Sequence, residues 1–225
     1  MTGDHPDDGY TGDVRVGGPA AARDVPGVRI TKLAVGPMDN NAYLLRCTST
    51  GDTVLIDAAA EPDRLLEARS DGLLVSVVTT HRHPDHWGGL EAVVGVTGAT
   101  VIAHEADAAG LPIPVGELVR DGDVIAFGDA ELTVIHLRGH TPGSIALRYD
   151  GDPRRPHLFT GDSLFPGGPG NTRGNAADFR SLMDDLEAKV FDALPDSTWV
   201  YPGHGRDTTL GTERPHLPEW RARGW

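Results

Sequence analysis

The chain has 225 residues, 39% of them apolar, with 33 acidic against 20 basic side chains and a formal net charge of −13. That length suits one domain with a substantial core, while the acidic balance and the lack of any basic run oppose binding to nucleic acid or an anionic membrane. A single cysteine, Cys47, excludes an intramolecular disulfide, and no segment approaches the roughly 20 apolar residues that span a bilayer.

Residues 1–26 are rich in Gly, Asp and Pro, show no hydrophobic period, and are expected to form a flexible arm ahead of a folded domain over 27–225. The first of them, Met1-Thr2-Gly3-Asp4-His5, are acidic with no apolar core, so a secretory signal is not expected and a cytoplasmic location is. Alternation predicts a strand over residues 28–35, followed by strands near 42–47 and 53–57 across a Thr-Gly-Asp turn. Pro62 opens a short helix to about Ser70. A buried strand follows over Leu73-Leu74-Val75-Ser76-Val77-Val78, ending at Thr80. Helices are expected at 90–96 and 105–109, with a strand at 100–103 between them; Pro112 and Pro114 then make a loop of 111–115. Further strands are predicted at 124–127, 131–137, 144–149, 157–160 and 198–201. Phe179, Leu182, Met183, Leu186 and Val190 fall at helical spacing within 176–191. The mixture points to an α/β (α+β) chain with two packed sheets and helices outside them.

The run His81-Arg82-His83-Pro84-Asp85-His86 places four potential metal ligands in six residues directly after a strand. Imidazole and carboxylate suit zinc, iron or manganese, and packing alone rarely gathers so many. His81 and His83 can reach one ion, and Asp85 and His86 a second. His140 in Gly-His-Thr-Pro-Gly, Asp162 in Thr-Gly-Asp-Ser and His204 in Tyr-Pro-Gly-His-Gly each follow a β-prone segment at a glycine-marked turn. Alone, His140 reads as a surface residue, Asp162 as a turn cap and His204 as a turn histidine; beside the first cluster they complete seven donors, enough for two divalent ions. Asp57, after Val54-Leu55-Ile56, is either a turn cap or a partner for a ligand imidazole. Arg173, in the glycine-rich stretch after Asp162, is either a surface arginine or a clamp for a substrate carboxylate.

The series His81-x-His83-x-Asp85-His86, His140, Asp162, His204 resembles the metallo-β-lactamase superfamily over about residues 28–210. The resemblance implies a single-domain, four-layer αββα sandwich with metal at one edge of the sheets. It also implies that His81, His83 and His140 hold one ion, that Asp85, His86 and His204 hold the other, and that Asp162 bridges them. Lactam-cleaving members usually lack an aspartate at the position of Asp162, which points away from antibiotic hydrolysis. The segments around His140 and Phe159-Thr160-Gly161-Asp162-Ser163 resemble glyoxalase II and its relative persulfide dioxygenase. Only 21 residues follow His204, so the helical domain that grips glutathione in glyoxalase II is not expected in this sequence.

Three activities share these residues. The first is hydrolysis of a small-molecule thioester or related ester by a water whose pKa two ions, zinc foremost, lower toward about 7, with Asp85 also receiving a proton. A second is persulfide oxidation at one iron held by His81, His83 and either Asp162 or His140. The third is a metal-bearing binding protein without turnover. The sequence carries no signal of oligomeric state.

Overall fold

The computed structural model describes residues 9–69, 71–152 and 154–224. Its first sheet takes its strands in chain order: β1 (Ala21–Val25), β2 (Val28–Val35), β3 (Asn40–Cys47), β4 (Thr53–Ile56), β5 (Leu74–Thr79), β6 (Thr100–His104) and β7 (Glu117–Val119). The first four pair antiparallel and the last four parallel. Parallel pairing requires crossovers, and α1 (Pro62–Ala68) and α2 (Leu90–Thr97) supply two of them. The second sheet is built from β8 (Val124–Phe127), β9 (Ala130–His136), β10 (Ile145–Tyr149), β11 (His157–Gly161), β14 (Trp199–Pro202) and β15 (Thr208–Thr209), in the order β15-β14-β11-β10-β9-β8. Between β11 and β14 come a two-residue hairpin, β12 (Leu164–Phe165) with β13 (Gly168–Pro169), and α3 (Ala176–Asp185).

Side-chain alternation assigns each strand to two apolar layers. Tyr43, Leu45 and Cys47 of β3 face Phe159 and Tyr201 of the other sheet, and the intervening Ala42 and Leu44 pack outward under Leu65, Leu90 and Val93 of the first helical layer. Ala146, Leu158 and Val200 do the same on the far side, beneath Phe179, Leu182 and Met183. Both faces of each sheet are therefore covered, which explains why the central strands read as nearly unbroken apolar runs. The result is the expected αββα sandwich.

Several boundaries differ from expectation. Within the stretch expected to be a flexible arm, residues 1–26, Ala21–Val25 form β1 in register with Val28–Lys32. Tyr10 packs edge-on to Trp199 with ring centroids 5.9 Å apart, and the Arg23 guanidinium covers both rings at 4.8 and 4.6 Å. The edge-on ring contact, the guanidinium and a partly buried hydroxyl bond to Asp207 anchor a stretch whose composition is polar; residues 1–8 lie outside the described structure. The helix expected at 105–109 is a single 3-10 turn at Ala108–Gly110. The helix expected over 176–191 is α-helical to Asp185 and then widens into a π turn, Leu186–Phe191, which keeps Leu186, Val190 and Phe191 all buried. After β15 the chain forms α4 (Leu210–Glu213) and α5 (Leu217–Arg223), and Trp220, 1% exposed, docks against Phe191.

Candidate metal centre

The seven sequence-predicted donors come from four connections at one edge of the sandwich: His81, His83, Asp85 and His86 after β5, His140 after β9, Asp162 after β11 and His204 after β14. Three backbone bonds hold these ends together: Ile145 N–H to Thr80 O (2.9 Å), Gly203 N–H to Gly161 O (2.8 Å) and Asn41 N–H to Gly203 O (2.7 Å). Gly203 is required here, since a Cβ on it would lie 2.2 Å from Asp162 Oδ1 and 2.8 Å from His86 Cε1.

Three groups have donor atoms within 4.8 Å of one another: His81/His83/His140, His81/His86/Asp162 and Asp85/His86/His204. His140 Nε2 lies 3.3 Å from His81 Nε2 and 2.9 Å from His83 Nδ1. On the other side, His86 Nε2 is 3.5 Å from Asp85 Oδ2, and His204 Nε2 is 3.4 Å from the same oxygen. Asp162 stands between, with Oδ1 3.3 Å from His86 Nε2 and Oδ2 3.6 Å from both His140 and His204. Ligands at about 2.0–2.2 Å around a tetrahedral ion stand about 3.3–3.6 Å apart, so most of these spacings already match a coordination edge.

The outer nitrogens explain why the inner ones face one another. His140 Nδ1 donates to Asn171 O (2.8 Å), His204 Nδ1 to Met38 O (3.0 Å) and His86 Nδ1 to Asp57 Oδ2 (2.8 Å). In the neutral ring these bonds place the lone pair on Nε2, aimed inward, the form a cation requires. Asp57 thus partners the His86 imidazole; it also accepts from Thr80 N–H and Thr80 Oγ1, both at 2.7 Å. His86 Nε2 and Asp162 Oδ1 are buried with no hydrogen-bond partner. A buried polar atom left unsatisfied is costly, and here both aim at the centre of the donor set. The residues fit a divalent metal.

Electrostatics divides the centre in two. Burial lowers the pKa of His81, His83 and His140, so these imidazoles stay neutral. Burial pushes His86 down as well, yet Asp57 and Asp162 raise it to about 10. His204 is also raised, because contact with Asp162 outweighs its burial. Burial would raise Asp162, but His204 and His86 against its oxygens hold it well below the usual carboxylate range. Asp85 is lowered against its burial by a hydrogen bond from Asn40 Nδ2 (2.9 Å). Clustered carboxylates call for positive charge, which either protons on histidine or a cation can supply.

Beside His83 and His140 opens a cleft of about 620 Å³, lined among others by Arg82, Arg138, Thr172 and Arg173. Arg173 has the left-handed φ of 56° and donates to His83 Nε2 at 2.9 Å. Arg138 is neutralised by Asp185, which it grips at 2.8 and 2.7 Å. A second cleft of about 650 Å³, around Arg23, Arg154 and Trp199, lies at the opposite ends of β11 and β14, away from the seven donors. Asn40, Thr80 and Asn41 support the centre without having been singled out in the sequence. Asn40-Asn41, two amides opening a mostly apolar strand, were the available signal.

The metallo-beta-lactamase superfamily model matches residues 35–204. A hydroxyacylglutathione hydrolase of Polaromonas sp. is 41% identical over 73% of this chain; the match spans 62% of that protein's length. ETHE1 from Myxococcus xanthus is 33% identical with a TM-score of 0.72, over 84% of this chain and 83% of that one. A protein whose crystal structure is di-iron-bound is 34% identical with a TM-score of 0.68, over 81% of this chain and 96% of that one. No helix among the described residues is long and apolar enough to cross a membrane.

Proposed function

As the chain belongs to the metallo-beta-lactamase superfamily, we propose that it is a metal-dependent hydrolase that cleaves a small-molecule thioester or related activated ester. The observation that carries this reading is the position of Asp162, whose two oxygens face His86 on one side and His140 and His204 on the other, between two sets of neutral or acid-paired imidazoles. In this reading His81, His83 and His140 hold one divalent ion, Asp85, His86 and His204 the other, and Asp162 both. Zinc is the first expectation and iron or manganese the alternatives. When bound, the ions supply a water of lowered pKa and a Lewis acid for the carbonyl.

The chain's own residues do the rest. Asp85, kept ionised by Asn40, accepts the proton that leaves the attacking water. Water adds across the carbon–sulfur bond, so the acyl carbon gains the oxygen and the thiol leaves with a proton. Arg173, on the cleft beside His83, binds a carboxylate of the substrate in bidentate fashion and fixes its orientation. The similarity to a hydroxyacylglutathione hydrolase supports a thioester, although this chain spans only 62% of that relative.

Metal analysis of anaerobically purified protein, together with a thioester panel and an oxygen electrode, tests the proposal. Near two divalent ions per chain and turnover of thioesters are expected, with Asp85→Asn losing turnover. One iron per chain with persulfide-dependent oxygen uptake and no thioester cleavage would replace this reading with the dioxygenase.

A further inference from the structure

Asp57 secures His86 on one side of the centre, and a second buried acid occupies the matching place on the other. Asp107 follows β6 and is 1% exposed. Its carboxylate collects donors from two separate loops: Arg82 N–H at 3.0 Å, Gly143 N–H at 3.0 Å, and the Thr141 hydroxyl. The Arg82 guanidinium adds a long contact, Nε to Oδ1 at 3.7 Å. Arg82 separates His81 from His83, and Thr141 and Gly143 follow His140. One carboxylate therefore ties together the two loops that carry all three imidazoles of one donor group while contributing no ligand to it.

The packing around this tie leaves no slack. A Cβ on Gly143 would lie 2.7 Å from Asp107 N and 2.8 Å from its Cβ. Thr141 is fixed from its other side by Ser144, whose Oγ accepts from Thr141 N–H at 3.0 Å. Either loop alone could hold its shape by local bonds. The separation between the loops, read in the 3.3 and 2.9 Å spacings from His140 Nε2 to His81 and His83, depends on an acceptor that reaches both.

We propose that Asp107 is a positioning residue for the His81/His83/His140 group and sets that group's affinity for a divalent cation. This rests on the reading above only in that the group holds such an ion. An asparagine at position 107 turns one of two acceptor oxygens into a donor. In either amide orientation a buried N–H or hydroxyl of one loop then meets an NH2, and the loops separate.

The test is cobalt(II) titration of the full chain, followed by the visible absorption of the bound ion. In a His204→Ala background, which breaks the Asp85/His86/His204 group and leaves His81/His83/His140 complete, Asp107→Asn is expected to weaken cobalt binding about 10- to 100-fold, as loss of a partner outside the ligand set commonly does. In a His83→Ala background, which leaves Asp85/His86/His204 complete, the same substitution should change affinity less than twofold. Thr141→Val removes a single donor and nearly preserves volume, so it tests the tie if Asp107→Asn does not fold; a several-fold loss confined to the first background is expected. Val93→Ala, a core truncation beneath the first sheet, controls for general destabilisation. Unchanged affinity in the His204→Ala background would overturn the proposal. So would equal losses in both backgrounds at a melting temperature matched by Val93→Ala, which would make Asp107 merely structural. Loss of thioester turnover in the unmodified chain would leave it standing, whereas a chain that binds no cobalt would sink it along with the metal reading.

Discussion

Replacing Lys32 by methionine isolates the buried charge behind the His204 turn. Lys32 Nζ and Asp207 lie 2.6 Å apart with side chains 0% and 1% exposed, and Nζ also donates to Gly205 O at 2.8 Å. Burial lowers the lysine pKa and raises that of Asp207, each against the attraction of its partner. Desolvation therefore outweighs pairing, and the intact pair adds little net stability. Breaking it is another matter. Lys32→Met removes the cation and leaves the Asp207 carboxyl to the neutral donors Tyr10 OH (3.1 Å) and Trp199 Nε1 (3.0 Å). Removal of one partner from a buried pair costs about 3–5 kcal/mol, or roughly 6–20 °C in Tm for a chain of this size. The double variant Lys32→Met/Asp207→Leu removes both charges together with the carboxylate those two donors reach, so it should lie within about 2 kcal/mol of the parent. Urea unfolding of the four members of the cycle at fixed metal concentration measures the coupling. A single variant within about 1 kcal/mol of the parent, or a double variant less stable than the single, would refute the reasoning. Gly205 O keeps its bond from Asn41 Nδ2 at 2.9 Å, so turnover per folded molecule should fall less than the stability implies.

Two further outcomes follow from the centre itself. Chelation should lower Tm, because an ion at 100 times its Kd stabilises the native state by about 2.7 kcal/mol, roughly 5–11 °C here; calorimetry with and without chelator checks this, and identical melts would exclude a native-state ion. Affinity at the Asp85/His86/His204 group should rise at least about tenfold per pH unit between pH 6 and 9, since His204 is raised as well as His86. His86 keeps its proton up to about pH 10, so binding there must displace it, and the competition fades as pH rises. The His81/His83/His140 group, whose pKa values are lowered, should bind with little pH dependence over that range. Titration calorimetry in the His204→Ala and His83→Ala backgrounds separates the slopes, and equal slopes would contradict the assignment.

The donor set was legible in the sequence because its geometry is largely local. One short run after a strand brings four donors, and three more stand at glycine-marked strand ends where side chains are few and turns are sharp. The central strands were legible for a related reason, since sheets covered on both faces demand continuous apolar residues. Elements without that signature were missed. The edge strand β7 has two exposed residues of three, and the β12–β13 hairpin pairs only two residues on each side. Pro215 and Pro218 look like helix breakers, yet both stand in first turns, where proline is compatible with a helix. The N-terminal stretch looked like a free arm because Tyr10 and Arg23 gain their partners only when the chain returns 197 residues later at Asp207 and at nearby Trp199.

Supports differ from ligands in this respect, and the difference is physical. A ligand must be a His or a carboxylate at a strand end, so its type and place are marked together. A support needs only one acceptor or donor at the right point in space, and nothing in its own neighbourhood requires it. Asp107 lies 25 residues from the amide it accepts from at Arg82 and 34 from Thr141, and Lys32 reaches Asp207 across 175. Each is an ordinary charged residue until the fold closes around it. Buried charge with several fixed donors is then informative, because desolvation would remove it unless those donors held it in one place. That criterion selects few of the 33 acidic residues: Asp57, Asp107 and Asp207, each at the back of a different part of the donor set, together with Asp185 and Glu213.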